Sequence, residues 1–157
     1  MKKLIIRLSE FVALVCLVAF MLFVSGEEDA SFTAPEQLCE KIISAVNIDG
    51  MTERNNLSLK KKYNTDTEQL DFFCYYSTDS VMDTREILII KADKAQCEKI
   101  KESIDDVRNE KINLFDSYAP EQSALLKSAI LVYEKGFLFY FVGENPAYAL
   151  SVFRNSL

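Results

Sequence analysis

Two short segments of this 157-residue chain are apolar on both sides when extended, and this constrains the fold more than any other feature. In 137–142, Phe137, Phe139 and Phe141 alternate with Leu138, Tyr140 and Val142, and Ile87-Leu88-Ile89-Ile90 behaves in the same way. Successive side chains on a strand point to opposite faces, so a sheet with one wet face would alternate apolar with polar residues. These strands instead need cover on both faces, from helices, a second protomer or an apolar ligand. The first helix and the segment 51–67 are expected to cover the second face. The sharper alternative is an interaction surface at Tyr75, Tyr76, Tyr133 and Tyr140, which are aromatic with a polar tip, as interfaces favour.

Around these strands the pattern supplies helices. Pro35 suits a first helical turn, and Leu38, Ile42, Ile43 and Val46 follow at helical spacing until 47–50 interrupt it. Segment 51–67 carries a weak signal and stays unassigned. Residues 70–76 and 86–91 read as an antiparallel strand pair. Asp93 with Gln96 resembles a capping box ahead of a long helix with the stripe Cys97, Ile100, Ile104, Val107, Leu114 and Phe115. Pro120 opens a short helix over 121–127. Residues 130–133 and 137–142 flank Glu134-Lys135-Gly136, a turn in which Gly136 can take a positive backbone angle. Asn145 and Pro146 start a last helix with Ala149, Leu150, Val152 and Phe153 on its apolar side. The sequence therefore predicts an α+β domain, order α-β-β-α-β-β-α, with a largely antiparallel four-stranded sheet.

The N-terminus carries an address. Lys2, Lys3 and Arg7 precede an apolar run of 14 residues, 11–24, in the layout of a secretory signal. The run is short of the roughly 20 apolar residues of a membrane span, which favours cleavage after Gly26. Leu4, Ile5 and Ile6 could lengthen it, so an N-terminal anchor stays open. The expected organisation is a signal or anchor at 1–26, a linker at 27–34, and one domain at 35–157. The protein is expected outside the cytoplasm, secreted or associated with the membrane through 11–24.

Charge and cysteine content narrow the partners. The net charge is −6, and the leader holds three basic residues and Glu10, which leaves −8 for the rest. Such a domain gains nothing from counterion release on nucleic acid and is repelled by anionic lipid. Lys60, Lys61 and Lys62 form the one basic cluster and read as a solvated helix end or loop. Beyond the leader stand Cys39, Cys74 and Cys97, an odd number that allows at most one internal disulfide. Cys39 and Cys97 fit apolar helix stripes, so buried, unreactive thiols are the expectation. There is no C-x-x-C spacing and no histidine, so no zinc site or other cofactor is expected.

The segments Glu86-Ile87-Leu88-Ile89-Ile90-Lys91, Tyr118-Ala119-Pro120-Glu121-Gln122 and Lys135-Gly136-Phe137 ahead of an apolar strand resemble the bacterial family catalogued as domain of unknown function 4358, over residues 35–157. The resemblance implies an exported protein of Gram-positive bacteria, usually attached by a lipid on an N-terminal cysteine. It brings no established activity and no catalytic residues. This chain departs from that pattern: Ala13-Leu14-Val15 precede Cys16 without the small residue expected before a lipidated cysteine, which leaves the mode of attachment open.

Candidate chemistry is sparse. Without histidine, Ser-His and Cys-His pairs are impossible. Ser58-Leu59-Lys60-Lys61 matches S-x-x-K, but 13 serines and 13 lysines make a chance match expected, and S-D-N and K-T-G are absent. Asp71, Asp79, Asp83 and Glu86 lie on or near one hairpin and could supply the two acids of glycan hydrolysis. Asn64, Asp66 and Glu68 match part of a calcium loop but lack its glycine and distal glutamate, so no metal is expected. The reading is an exported, non-catalytic binding or accessory domain at the cell envelope, with an unidentified envelope protein or ligand as partner. The alternatives are a small carboxylate-based envelope hydrolase and a self-associating structural domain.

Overall fold

The computed structural model describes residues 34–157. The readings of the leader, its cleavage and Cys16 lie outside these residues. Five strands form one antiparallel sheet in the order β1-β2-β3-β5-β4: β1 Met51–Glu53, β2 Phe72–Thr78, β3 Glu86–Lys91, β4 Ile130–Glu134 and β5 Phe137–Val142. Five helices accompany them: α1 Pro35–Ala45, α2 Asn56–Tyr63, α3 Lys94–Phe115, α4 Pro120–Lys127 and α5 Pro146–Ser156, with a short 3-10 turn at Thr67–Gln69. The four-strand expectation misses β1, and segment 51–67 holds an edge strand, a helix and a turn. A three-residue strand is too short to show a period, which is why its sequence is silent.

The doubly apolar strands lie at the centre, β3 paired with both β2 and β5. One face of the sheet sets Cys74, Ile87, Ile89, Phe137, Phe139 and Phe141 against Leu38 and Ile42 of α1 and Ala149 and Phe153 of α5. Phe139 stacks on Phe153 with ring centroids 4.5 Å apart. The other face sets Tyr75, Leu88, Ile90, Leu138, Tyr140 and Val142 against Leu59 and Tyr63 of α2, Cys97, Ile100, Ile104 and Phe115 of α3, and Leu126 of α4. The chain thus covers both faces with its own helices. Segment 51–67 does contribute cover through α2, but on the face opposite α1, and α5 completes the α1 side.

Local signals explain the ends. Each of the three prolines stands in the first turn of a helix, where its missing N–H costs nothing. The Asp93 carboxylate accepts from Gln96 N–H at 2.8 Å, so the long helix starts where the capping box put it. Lys135 and Gly136, at φ 48° and 83°, form the two-residue turn between β4 and β5, the pattern that suits the twist of a hairpin. Asn145 occupies the cap position of α5 at φ 54° without a side-chain cap bond, so its contribution is tolerance of the left-handed backbone. Leu114, read as part of the α3 stripe, is exposed.

The cysteine reading is corrected. Cys39 on α1 and Cys74 on β2 form a disulfide, with Cα atoms 6.2 Å apart, and Cys97 is a buried free thiol. Helical spacing placed Cys39 beside the core but could not place Cys74 against it, since the two are 35 residues apart.

Candidate functional site

At one end of the sheet, α2, α3 and the loop joining β2 to β3 enclose a cleft of about 480 Å³, within the range of small-molecule sites. Glu86, the first residue of β3, adjoins it through its ion-pair partner Lys62, which lines the cleft. Alternation along the strand turns Glu86 to the same face as Leu88 and Ile90, towards α2 and α3, and it is 3% exposed. A carboxylate this buried must be compensated. Lys62 forms an ion pair with its Oε2, and the Tyr63 hydroxyl donates to its Oε1 at 2.8 Å. Consecutive residues at the end of α2 thus grip one side chain. Tyr63, Tyr75 and Tyr140 are all held well above the usual phenol range, chiefly by burial and then by the negative charge of Glu86.

Basic residues line the cleft from three directions: Arg54 after β1, Lys61 and Lys62 on α2, Arg85 before β3 and Lys111 on α3. Three of them are neutralised. Arg54 contacts Asp79 Oδ1 at 2.7 Å and donates to the Ser77 hydroxyl and carbonyl at 2.8 and 2.9 Å. Arg85 is forked onto the Asp83 carboxylate, and this pair holds Asp83 below the usual carboxylate range. Lys62 is paired with Glu86. Among the described residues, Lys61 and Lys111 form no ion pair.

Lys111 is the residue that sequence reasoning missed. The buried side of α3 runs Cys97, Ile100, Ile104, then partly buried Val107, then Phe115. Spacings of three and four place Lys111 between Val107 and Phe115 on that same stripe, where an apolar residue is the norm. The signal was in the sequence as a charge at an inward position. Lys111 is half-buried, and its ammonium is held below the usual lysine value by burial and then by neighbouring Lys62, with Glu86 pulling the other way.

The other candidate residues distribute as follows. Lys60, Lys61 and Lys62 form the last turn of α2, where positive charge suits the helix dipole, but Lys62 is engaged with Glu86 and is no mere solvated end. Ser58 and Lys61, the ends of the S-x-x-K match, both line the cleft. The Ser58 hydroxyl donates to Asn55 Oδ1 at 3.1 Å, as part of the cap that starts α2. Asp79 and Asp83 line the cleft and Glu86 adjoins it through Lys62, each tied to a cation. Asp71 does not join them, since it precedes the Phe72↔Lys91 end of the hairpin and Glu86 pairs with Ser77 at the other end, roughly 20 Å away by strand rise. Asn64 ends α2 in the left-handed conformation and Asp66 caps the following turn. Among the described residues, no group of three or more His, Cys, Asp or Glu side chains is placed to hold a metal ion.

The four tyrosines do not share one surface. Tyr75 and Tyr140 are 2% exposed in the core below the cleft, where Tyr133 packs at the margin, and Tyr76 faces the α1 side. Both faces of a strand can be apolar without either being free, and that ambiguity defeated the sequence argument.

The family described as domain of unknown function DUF4358 matches residues 44–143, more than half of the chain. The chain belongs to this family. The DUF4358 match takes in all five strands and every basic residue of the cleft, and it leaves out Cys39 and α5. Neither the curated proteins nor the solved structures contain a match to the chain.

Proposed function

We propose that this DUF4358 member is an extracytoplasmic binding domain of the cell envelope that holds a ligand in the cleft beside Glu86 without turning it over. The observation that carries the reading is the pairing state of the cleft: the two carboxylates that line it, Asp79 and Asp83, and the adjoining Glu86 are each bound to a cation, while Lys61 and Lys111 form no ion pair among the described residues. Acid–base hydrolysis asks for one carboxyl held protonated and a second one free. The Asp83 pKa moves the opposite way, downward, under Arg85. Excess positive charge in a recess of an acidic chain suits capture. The Cys39–Cys74 disulfide and the secretory layout of 1–26 support an oxidising compartment. Self-association through the sheet loses its cue, because the helices already occupy both faces.

Fractionation of cells producing the full-length chain tests the compartment. The expected result is recovery outside the cytosol with Cys39 and Cys74 protected from alkylation until reductant is added. Soluble, fully reduced protein in the cytosol would overturn it. Incubation with cell-wall fragments tests the verb, and release of soluble glycan would replace the binding reading by the hydrolase.

A further inference from the structure

We infer that the cleft recognises a phosphate monoester, with Lys111 and Lys61 as the residues that hold its charge. The inference rests on the reading of the cleft as a binding site and deepens it to a ligand class. Charge balance is the first ground. Arg54 with Asp79, Arg85 with Asp83 and Lys62 with Glu86 cancel, which leaves two ammonium groups facing the same recess. A phosphate monoester is close to a dianion near neutral pH and matches both, whereas a single carboxylate matches one. Placement is the second. Lys111 stands at an inward position of α3 next to Lys62 and shares Glu86 with it, so its buried charge is only partly compensated until an anion enters. Donor geometry is the third. Lysine offers mobile donors on a point charge, and the Ser80 hydroxyl, which accepts from Met82 N–H at 3.2 Å, can still donate its own hydrogen into the cleft.

The source of the phosphate, soluble ester or lipid headgroup, is separated by the probes. Full-length protein in nonionic micelles is titrated calorimetrically with inorganic phosphate, with glycerol 3-phosphate and with mixed micelles carrying phosphatidic acid. Saturable binding of glycerol 3-phosphate is expected for a soluble ester, and of phosphatidic acid alone for a lipid. Lys111→Met should weaken binding at least about tenfold while melting no lower than the parent, because it restores an apolar residue to the α3 stripe. Lys61→Gln, an exposed position, should weaken it with no change in melting. Lys94→Glu, about 25 Å away along α3 by helical rise, should leave it unchanged. Absence of binding to every phosphate probe up to about 10 mM, or binding indifferent to Lys111→Met and Lys61→Gln, overturns the inference. Equal binding of malonate, a dianion of two carboxylates, overturns the choice of phosphate and leaves the binding reading intact. Cytosolic recovery in the fractionation would remove the envelope role without touching these titrations.

Discussion

Glu86 and Lys111 each carry charge into a position that the local pattern reserves for an apolar group, and each is tolerable because of the other's surroundings. Glu86 is compensated by Lys62 and Tyr63, and removal of its charge would strand two lysines against the core. Glu86→Gln is therefore expected to lower the free energy of unfolding by about 2 kcal/mol, short of the 3–5 kcal/mol for a fully enclosed pair, since Lys62 is 22% exposed. Urea denaturation measures this, and the double variant with Lys111→Met should recover part of the loss. Cys97 gives a second prediction. Burial pushes its thiol up to about 11, so it stays protonated and shielded. Iodoacetamide at about pH 8 should leave it unmodified in the native protein and label it after denaturation, with mass spectrometry as the readout.

Among the elements, the disulfide has the largest expected effect. It closes a loop between residues 35 apart, for which chain entropy gives roughly 4 kcal/mol at most. Cys39→Ser with Cys74→Ser should cost about 2–4 kcal/mol in urea unfolding and leave the far-UV spectrum unchanged. Long-range pairing of this kind is hidden from periodicity, and so was the second neighbour of β2, the short strand β1. What periodicity could show, it showed: the four longer strands, the long helix and its Asp93 cap, the proline starts and the β4–β5 turn. The cleft was legible in pieces, as Lys60 to Lys62 and the acids of the β2–β3 hairpin. Arg54 joins it through folding alone, whereas Lys111 was visible in the sequence as a charge at an inward helix position, and Leu114 was drawn into the stripe by a spacing that Lys111 fulfils instead. The tyrosines failed for the opposite reason, since aromatic residues with polar tips serve a buried carboxylate as readily as a surface.

At the scale of the molecule, the face turned to α2 and α3 is a phenol-rich core around one negative charge, and its response to alkali follows. Tyr63, Tyr75 and Tyr140 keep their protons in the folded state above the ordinary value near 10, while the unfolded chain releases them there. The unfolded state then binds fewer protons than the folded one, so stability is intact below about pH 10 and falls as pH rises beyond it. Tyr63, Tyr75 and Tyr140 should ionise together with unfolding, as one steep step in the ultraviolet difference signal. A gradual titration of these three would contradict the buried arrangement.

The cross-link between α1 and β2 also decides how the domain bears load. Tension arriving from upstream of Pro35 meets a covalent bond at Cys39, in the second turn of the first helix, and passes directly into an interior strand. The helix beyond that point, β1, α2 and the turn after it lie inside the closed loop and feel no pull while the sulfurs stay joined. Reduction would let such a pull reach the rest of that loop before it met β2.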